Sequence, residues 1–136
     1  MNVLDSSAWI EFFLGSQSGQ RYRPIAADSA TLLVPAVALY EVHRYLSRTA
    51  SNDMRVGSLN VMRQARVIDL TNARAIAASN AAHEYTLAMA DAIMYSIAQE
   101  FKATFWTQDV DYEGLPGVQY QARQVGQSGV GATRWL

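Results

Sequence analysis

Carboxylates are the reagents this chain has to offer. It has no cysteine and two histidines, His43 and His83, neither with a metal-ligand or triad partner at a familiar spacing. Thiolate metal sites, disulfides and histidine-dependent triads are therefore set aside. Four acids stand in apolar surroundings. Asp5 follows Asn2-Val3-Leu4 in MNVLDSSAWIEFF, and Glu41 lies in ALYEVHRYL between Val37 and Tyr45. Asp91 lies in LAMADAIMYS, and Asp109 follows the apolar run in TFWTQD. Charged side chains are rarely buried unless paired or bound. Four converging carboxylates with no local lysine repel one another, and a hard divalent cation resolves that repulsion. Magnesium takes oxygen ligands and is commonly held by a few carboxylates together with substrate phosphates. Such an ion can activate water and stabilise a phosphoryl transition state.

Each acid alone has a simpler role. Asp5 is placed to cap a helix, and Asp91 suits a first helical turn. Glu41 can reach solvent, and Asp109 suits a turn. The case for chemistry rests on the set. Asp28, Asp53, Asp69 and Asp111 are weaker candidates; Asp53 reads as a helix cap, and Asp111, two residues past Asp109, is placed to assist a site there.

The elements that must position these acids follow from periodicity. Val3-Leu4 reads as a short buried strand, followed by a helix over 6–14 with Ala8, Trp9, Phe12 and Phe13 as its apolar face. A loop at 15–19 and a short polar helix or loop over 22–27 come next. TLLV is a second strand, and Pro35 fits the first turn of a helix over 36–47. Another helix spans 53–64, with Met54, Leu59 and Met62 inward. RVIDL supplies a third strand over 67–70. Thr71 or Asn72 caps an alanine-rich helix to about residue 84. A helix over 88–101 places Met89, Ile93, Ile97 and Phe101 at helical spacing. ATFWT is the fourth strand and VQYQA the fifth, an edge. Strands alternating with helices predict a parallel sheet covered on both faces. In such sheets ligands bind beyond the carboxyl ends of the strands, where strand order reverses. Asp5 and Asp109 face each other if strands one and four are neighbours.

The 136 residues are half apolar and 17% charged, which suits one folded domain over 1–125. The Gly- and Ser-rich tail at 126–136 is read as flexible, with Trp135 and Leu136 as candidates to dock. No run is long enough to span a membrane, and the start lacks the marks of a signal peptide. A cytoplasmic location is expected. Net charge is −1, so the chain does not announce a nucleic-acid binder. Its basic side is almost all arginine, Lys102 being the one lysine, and many arginines fall between Arg44 and Arg74.

With these residues in view, the sequence resembles PIN-domain ribonucleases, particularly VapC-type toxins of toxin–antitoxin pairs. The likeness is carried by MNVLDSSAWIEFF, VPAVALYEVHRYL, LAMADAIMYSIAQEFKATFWTQD and DYEGLPGV, in that order and spacing, and covers residues 1–120. It implies a three-layer α/β/α fold with a central parallel sheet of four to five strands in the order 3-2-1-4-5. Asp5, Glu41, Asp91 and Asp109 match the acidic quartet of the family. Thr107 matches a hydroxyl beside the fourth acid, and Ser6 or Ser7 the polar position after the first. The resemblance implies Mg2+- or Mn2+-dependent endonucleolytic cleavage of RNA, often tRNA or rRNA, by a metal-activated water. It also implies a homodimer silenced by a partner antitoxin. Asp5, Asp91 and Asp109 would be inner ligands, with Glu41 direct or through water. Arg44 and Arg48, one and two turns beyond Glu41, are candidates to touch the RNA backbone.

Rival readings share the fold. A phosphoacceptor receiver domain would use Asp69, but lacks a lysine after strand five. A haloacid-dehalogenase-like phosphatase would need a second Asp at position 7, which is Ser7. A non-catalytic interaction module remains the alternative that the quartet argues against.

Overall fold

Short apolar runs with no polar alternation are the signature of strands covered on both faces; Leu32–Pro35 is such a run, and it lies inside a five-stranded parallel sheet whose edge strands, Arg66–Ile68 and Val118–Tyr120, are partly exposed. The computed structural model describes residues 1–124, so the tail expected at 126–136 lies outside the described residues. The strands are β1 (Asn2–Leu4), β2 (Leu32–Pro35), β3 (Arg66–Ile68), β4 (Thr104–Thr107) and β5 (Val118–Tyr120), in the order β3-β2-β1-β4-β5. β1 is central, with Val3 opposite Leu33 on one side and Phe105 on the other. The first strand is thus completed by residues about a hundred positions away. Helices α1 (Ser6–Leu14), α2 (Gln17–Gln20), α3 (Arg23–Ala26), α4 (Ala36–Thr49), α5 (Asn52–Arg63), α6 (Asn72–Tyr85) and α7 (Met89–Glu100) flank it, giving the three-layer α/β/α arrangement. Among the described residues no helix is long and apolar enough to cross a membrane.

Caps fix where the helices begin. Asp5, Ser16, Ser51 and Thr71 each accept a hydrogen bond from the main-chain N–H three residues on. These bonds satisfy donors that a first turn leaves free. Ser51, not Asp53, caps α5, and Asp53 sits in its first turn. α1 ends at Gly15 in the left-handed conformation that glycine adopts without strain.

Aromatic packing anchors the sheet to α7. Phe105 of β4 meets Tyr95 at 5.7 Å and Tyr112 at 4.7 Å between ring centroids, and all three are fully buried. The Tyr95 hydroxyl donates to the Pro116 carbonyl at 2.6 Å, which holds the turn before β5.

Three local expectations need correction. The third strand covers 66–68 rather than 67–70, leaving Asp69 and Leu70 exposed. Ile68 pairs with Pro35, where β2 turns into α4, so nothing remains for residues 69–70 to pair with. Met89 does not share the inward face of its helix; it is the first helical residue and 78% exposed. The segment expected as a loop at 15–19 holds the start of the one-turn helix α2, while the short element expected over 22–27 is α3.

Gly19 marks the tightest contact between α1 and α2. A Cβ there would lie 2.1 Å from the Glu11 carbonyl oxygen. Gly19→Ala is expected to lower stability by about 1–3 kcal/mol, the usual cost of overpacking. Urea unfolding would read this as a lower midpoint with an unchanged slope.

Candidate metal centre

The carboxyl ends of β1 and β4 lie side by side, because Leu4 pairs with Trp106 in the parallel register. The chain leaves each of these strands through an acid. Asp5 follows β1 directly and opens α1; Asp109 follows β4 by two residues and opens a 3-10 turn at Val110–Tyr112. Asp91 sits in the first turn of α7, where the helix dipole favours negative charge.

Three carboxylates come together here. Asp91, Asp109 and Asp111 each offer an oxygen, and these oxygens lie within 4.8 Å of one another. Asp91 is buried, Asp109 half-buried and Asp111 exposed, so the group opens from the core towards solvent. Asp111 was the lesser candidate in the sequence, yet its carboxylate joins the group. Its backbone N–H donates to Asp109 Oδ1 at 2.9 Å, which winds the turn tightly enough to bring both acids to one place.

Asp5 and Glu41 stand outside that trio, each held by hydroxyls. Asp5 Oδ1 accepts from the Ala8 N–H at 2.8 Å and the Ser7 hydroxyl at 2.7 Å. Its Oδ2 accepts from the Thr107 hydroxyl at 2.5 Å. Thr107 Oγ1 in turn accepts from the Asp109 N–H at 2.9 Å, so one hydroxyl links Asp5 to the backbone of Asp109. Glu41 Oε1 accepts from Ser6 at 2.5 Å, and the same hydroxyl lies 3.4 Å from the Met94 sulfur. Ser6 and Ser7 therefore serve different acids. Arg44 and Arg48 are exposed on α4 and are not brought into the group.

Tyr112 was not singled out from sequence. It is fully buried, and its hydroxyl donates to the Asp91 carbonyl at 3.2 Å. Burial, with the charges of Asp91, Asp5 and Asp109, pushes its phenol well above the usual range and keeps it a donor. A lone tyrosine directly after Asp111 carries no spacing signal that could have marked it.

The donor set suits a hard cation. It is all oxygen, it is crowded with like charge, and it contains no thiolate or imidazole. Burial pushes the Asp5 carboxyl up to about 6. The hydrogen bonds from Ser7, Thr107 and Ala8 oppose that rise, and the Asp109 charge adds to it.

Comparison with known proteins agrees with the fold. A family model for the PIN domain matches residues 3–117. A toxin–antitoxin complex from Klebsiella pneumoniae is similar in structure, with TM-score 0.73 and 20% identity over 88% of this chain and 96% of that one. VapBC2 from Rickettsia felis, solved with a DNA fragment from its promoter, gives TM-score 0.68 and 14% identity over 89% of this chain and 97% of that one. VapC20 of Mycobacterium tuberculosis, described as a sarcin-ricin loop cleaving toxin, gives TM-score 0.69 and 16% identity over 82% of this chain and 92% of that one. No curated protein matches by sequence.

The raised Asp5 carboxyl has a sign that can be tested. From an ordinary 3.8 to about 6, the folded state holds the proton more tightly than the unfolded chain. Stability is then lost as pH rises through 6 and regained as pH falls towards 4. In EDTA, wild type is expected to gain about 1 kcal/mol more than Asp5→Asn on going from pH 7 to pH 5. Asparagine keeps the helix cap. Thermal midpoints of both proteins at the two pH values check this.

Proposed function

The chain belongs to the PIN-domain family, and from that premise we propose that it is a metal-dependent endoribonuclease, the VapC-type toxin of a toxin–antitoxin pair. The observation that carries the reading is the convergence of Asp91, Asp109 and Asp111 at the carboxyl end of the sheet, with Asp5 and Glu41 fixed beside them. The likeness in fold to toxin–antitoxin proteins supports it.

In this reading Asp91 and Asp109 hold Mg2+ or Mn2+, with Asp5, Glu41 and Asp111 completing the acidic surround. When bound, the ion supplies a water of lowered pKa and offsets charge on the RNA phosphate. The chain's own residues do the positioning. Thr107 fixes the Asp5 carboxylate through its hydroxyl and the Asp109 backbone through its oxygen. Ser6 sets the Glu41 rotamer, and Ser7 braces Asp5 from the α1 side. Tyr112 ties the first turn of α7 to the 3-10 turn, so Asp91 keeps its distance from Asp109 and Asp111. Ser6, Ser7 and Thr107 thus hold ligands in place, a task whose loss commonly costs about 10–100-fold in affinity or activity. We place the protein in the cytoplasm as a homodimer acting on rRNA or tRNA, with a cognate antitoxin as its inhibitor.

The test uses purified protein freed of any partner and incubated with total RNA. Discrete cuts are expected with Mg2+ or Mn2+, none with EDTA, and none with Asp5→Asn or Asp109→Asn. Thr107→Val is expected to cut about 10–100-fold more slowly. Magnesium should also raise the thermal midpoint of wild type and leave that of Asp109→Asn unmoved. Absence of both cutting and magnesium-dependent stabilisation in wild type would overturn the reading.

A further inference from the structure

Two residues with unpartnered buried donors line one small cavity. It measures about 80 Å3 and lies between the link joining α2 to α3 and the end of β5. Arg21 and Tyr22 line it from the link, and Trp106, Gln119, Tyr120 and Gln121 from the sheet. Tyr22 is 1% exposed, yet its hydroxyl makes no hydrogen bond. Arg21 Nη1 is buried and makes none either. The rest of the guanidinium is pinned. Its Nε donates to the Ser18 carbonyl at 2.9 Å and its Nη2 to the Ala122 carbonyl at 3.0 Å. Neither acceptor is charged, and among the described residues no carboxylate pairs with Arg21. Trp106 spends its one N–H on Asn2 Oδ1 at 2.9 Å, so its indole serves as a wall. Burial, with the charge of Asp5, pushes the Tyr22 phenol well above its ordinary range and keeps it a donor.

The β4–β5 ladder sets this cavity beside the acidic group. Tyr120 pairs with Thr107, and the Gln121 N–H donates to the Thr107 carbonyl at 3.0 Å. Thr107 is the residue whose hydroxyl holds Asp5.

What fills such a space must accept hydrogen bonds, be compact and carry negative charge. Arg21 is the one charged residue among those lining it. The volume exceeds the ~10–15 Å3 that one water needs and falls well short of the ~300 Å3 at which small-molecule pockets begin. A buried donor left unpaired costs free energy, most of all when it is charged. Water would satisfy the phenol but leave the guanidinium without a counter-charge. A tetrahedral oxyanion answers both, and the guanidinium fork matches phosphate in shape.

We propose that this cavity seats a phosphate group, with Arg21 supplying charge and an N–H and Tyr22 supplying its hydroxyl. The phosphate comes either as the free ion or as a link in an RNA strand. The inference goes beyond the nuclease reading and does not need it, because this seat is built from donors and the acidic group from acceptors.

The test titrates inorganic phosphate into the whole chain, followed by NMR, at an ionic strength held constant with chloride. EDTA is present throughout and removes any ion through which the acids could hold phosphate. Saturable binding is expected, with a higher thermal midpoint in phosphate. Arg21→Gln should lose the binding, and Tyr22→Phe should weaken it about tenfold. Arg63→Gln, at an exposed arginine on α5, should leave it intact. The Tyr22 hydroxyl has no partner to lose, so Tyr22→Phe should keep the wild-type midpoint in phosphate-free buffer. A lower midpoint there means that the hydroxyl is already satisfied by water, and overturns the proposal. It is overturned as well by an absence of saturable binding in wild type, by undiminished binding in Tyr22→Phe, or by equal affinity for acetate. A 2′-O-methyl RNA oligonucleotide then separates the two sources. Displacement of bound phosphate that depends on Arg21 and Tyr22 assigns the seat to a strand, and phosphate binding without displacement assigns it to the free ion. RNA cleavage with Mg2+ is assayed in parallel. Its absence counts against the nuclease reading alone and leaves the phosphate seat standing.

Discussion

The carboxylate of Asp5 must stay in one place inside the protein, and much of the architecture follows from that need. It is almost wholly buried, and a buried carboxylate without partners is costly. Its three hydrogen bonds come from the N–H of Ala8, the hydroxyl of Ser7 and the hydroxyl of Thr107. The first two lie in the helix that Asp5 itself caps, and the third reaches across from the neighbouring strand. The same acid therefore starts α1, joins β1 to β4 and faces the acidic group. Capping and site formation are one arrangement here, because the cap fixes the direction of the side chain.

The remaining acids are held by different means. Asp91 uses the first turn of α7, whose dipole offsets part of its charge. Asp109 and Asp111 use a single 3-10 turn closed by a side-chain to backbone bond. Glu41 relies on the hydroxyl of Ser6. Four elements thus contribute, and none alone brings more than two carboxylates. The aromatic set of Phe105, Tyr95 and Tyr112 keeps α7 and β4 in register beneath them. Rigid packing at this level matters because a metal site tolerates little drift in its ligands.

Much of this was legible in the sequence. Uniform apolar runs such as Thr31-Leu-Leu-Val and Thr104-Phe-Trp-Thr can be buried only as covered strands, and the helices between them leave few parallel topologies. Asp5, Glu41, Asp91 and Asp109 stood out because acids in apolar company need a reason. Less legible was anything decided by a contact between distant segments. The joining of Asp111 to Asp91 depends on how the 3-10 turn winds, which a spacing of two residues does not disclose. The third strand ran short because its partner, Pro35, turns away, a fact of pairing rather than of propensity. Met89 fitted a helical stripe, yet it is the first residue of α7 and stands exposed, while Asp91 and Ala92 just after it are buried.

The placement of β1 at the centre of the sheet has a consequence in time. Ribosomes deliver a chain from its N-terminus. The strand that bears Asp5 is made well before its partner β4 and the acids that follow β4. Thr107, which fixes Asp5, cannot meet it until synthesis has run 102 residues further. A nascent chain therefore carries the acids as scattered, solvated residues with no shared cavity, and an interrupted one never assembles them. The fold itself delays whatever chemistry the acids perform until the last of these segments has been made.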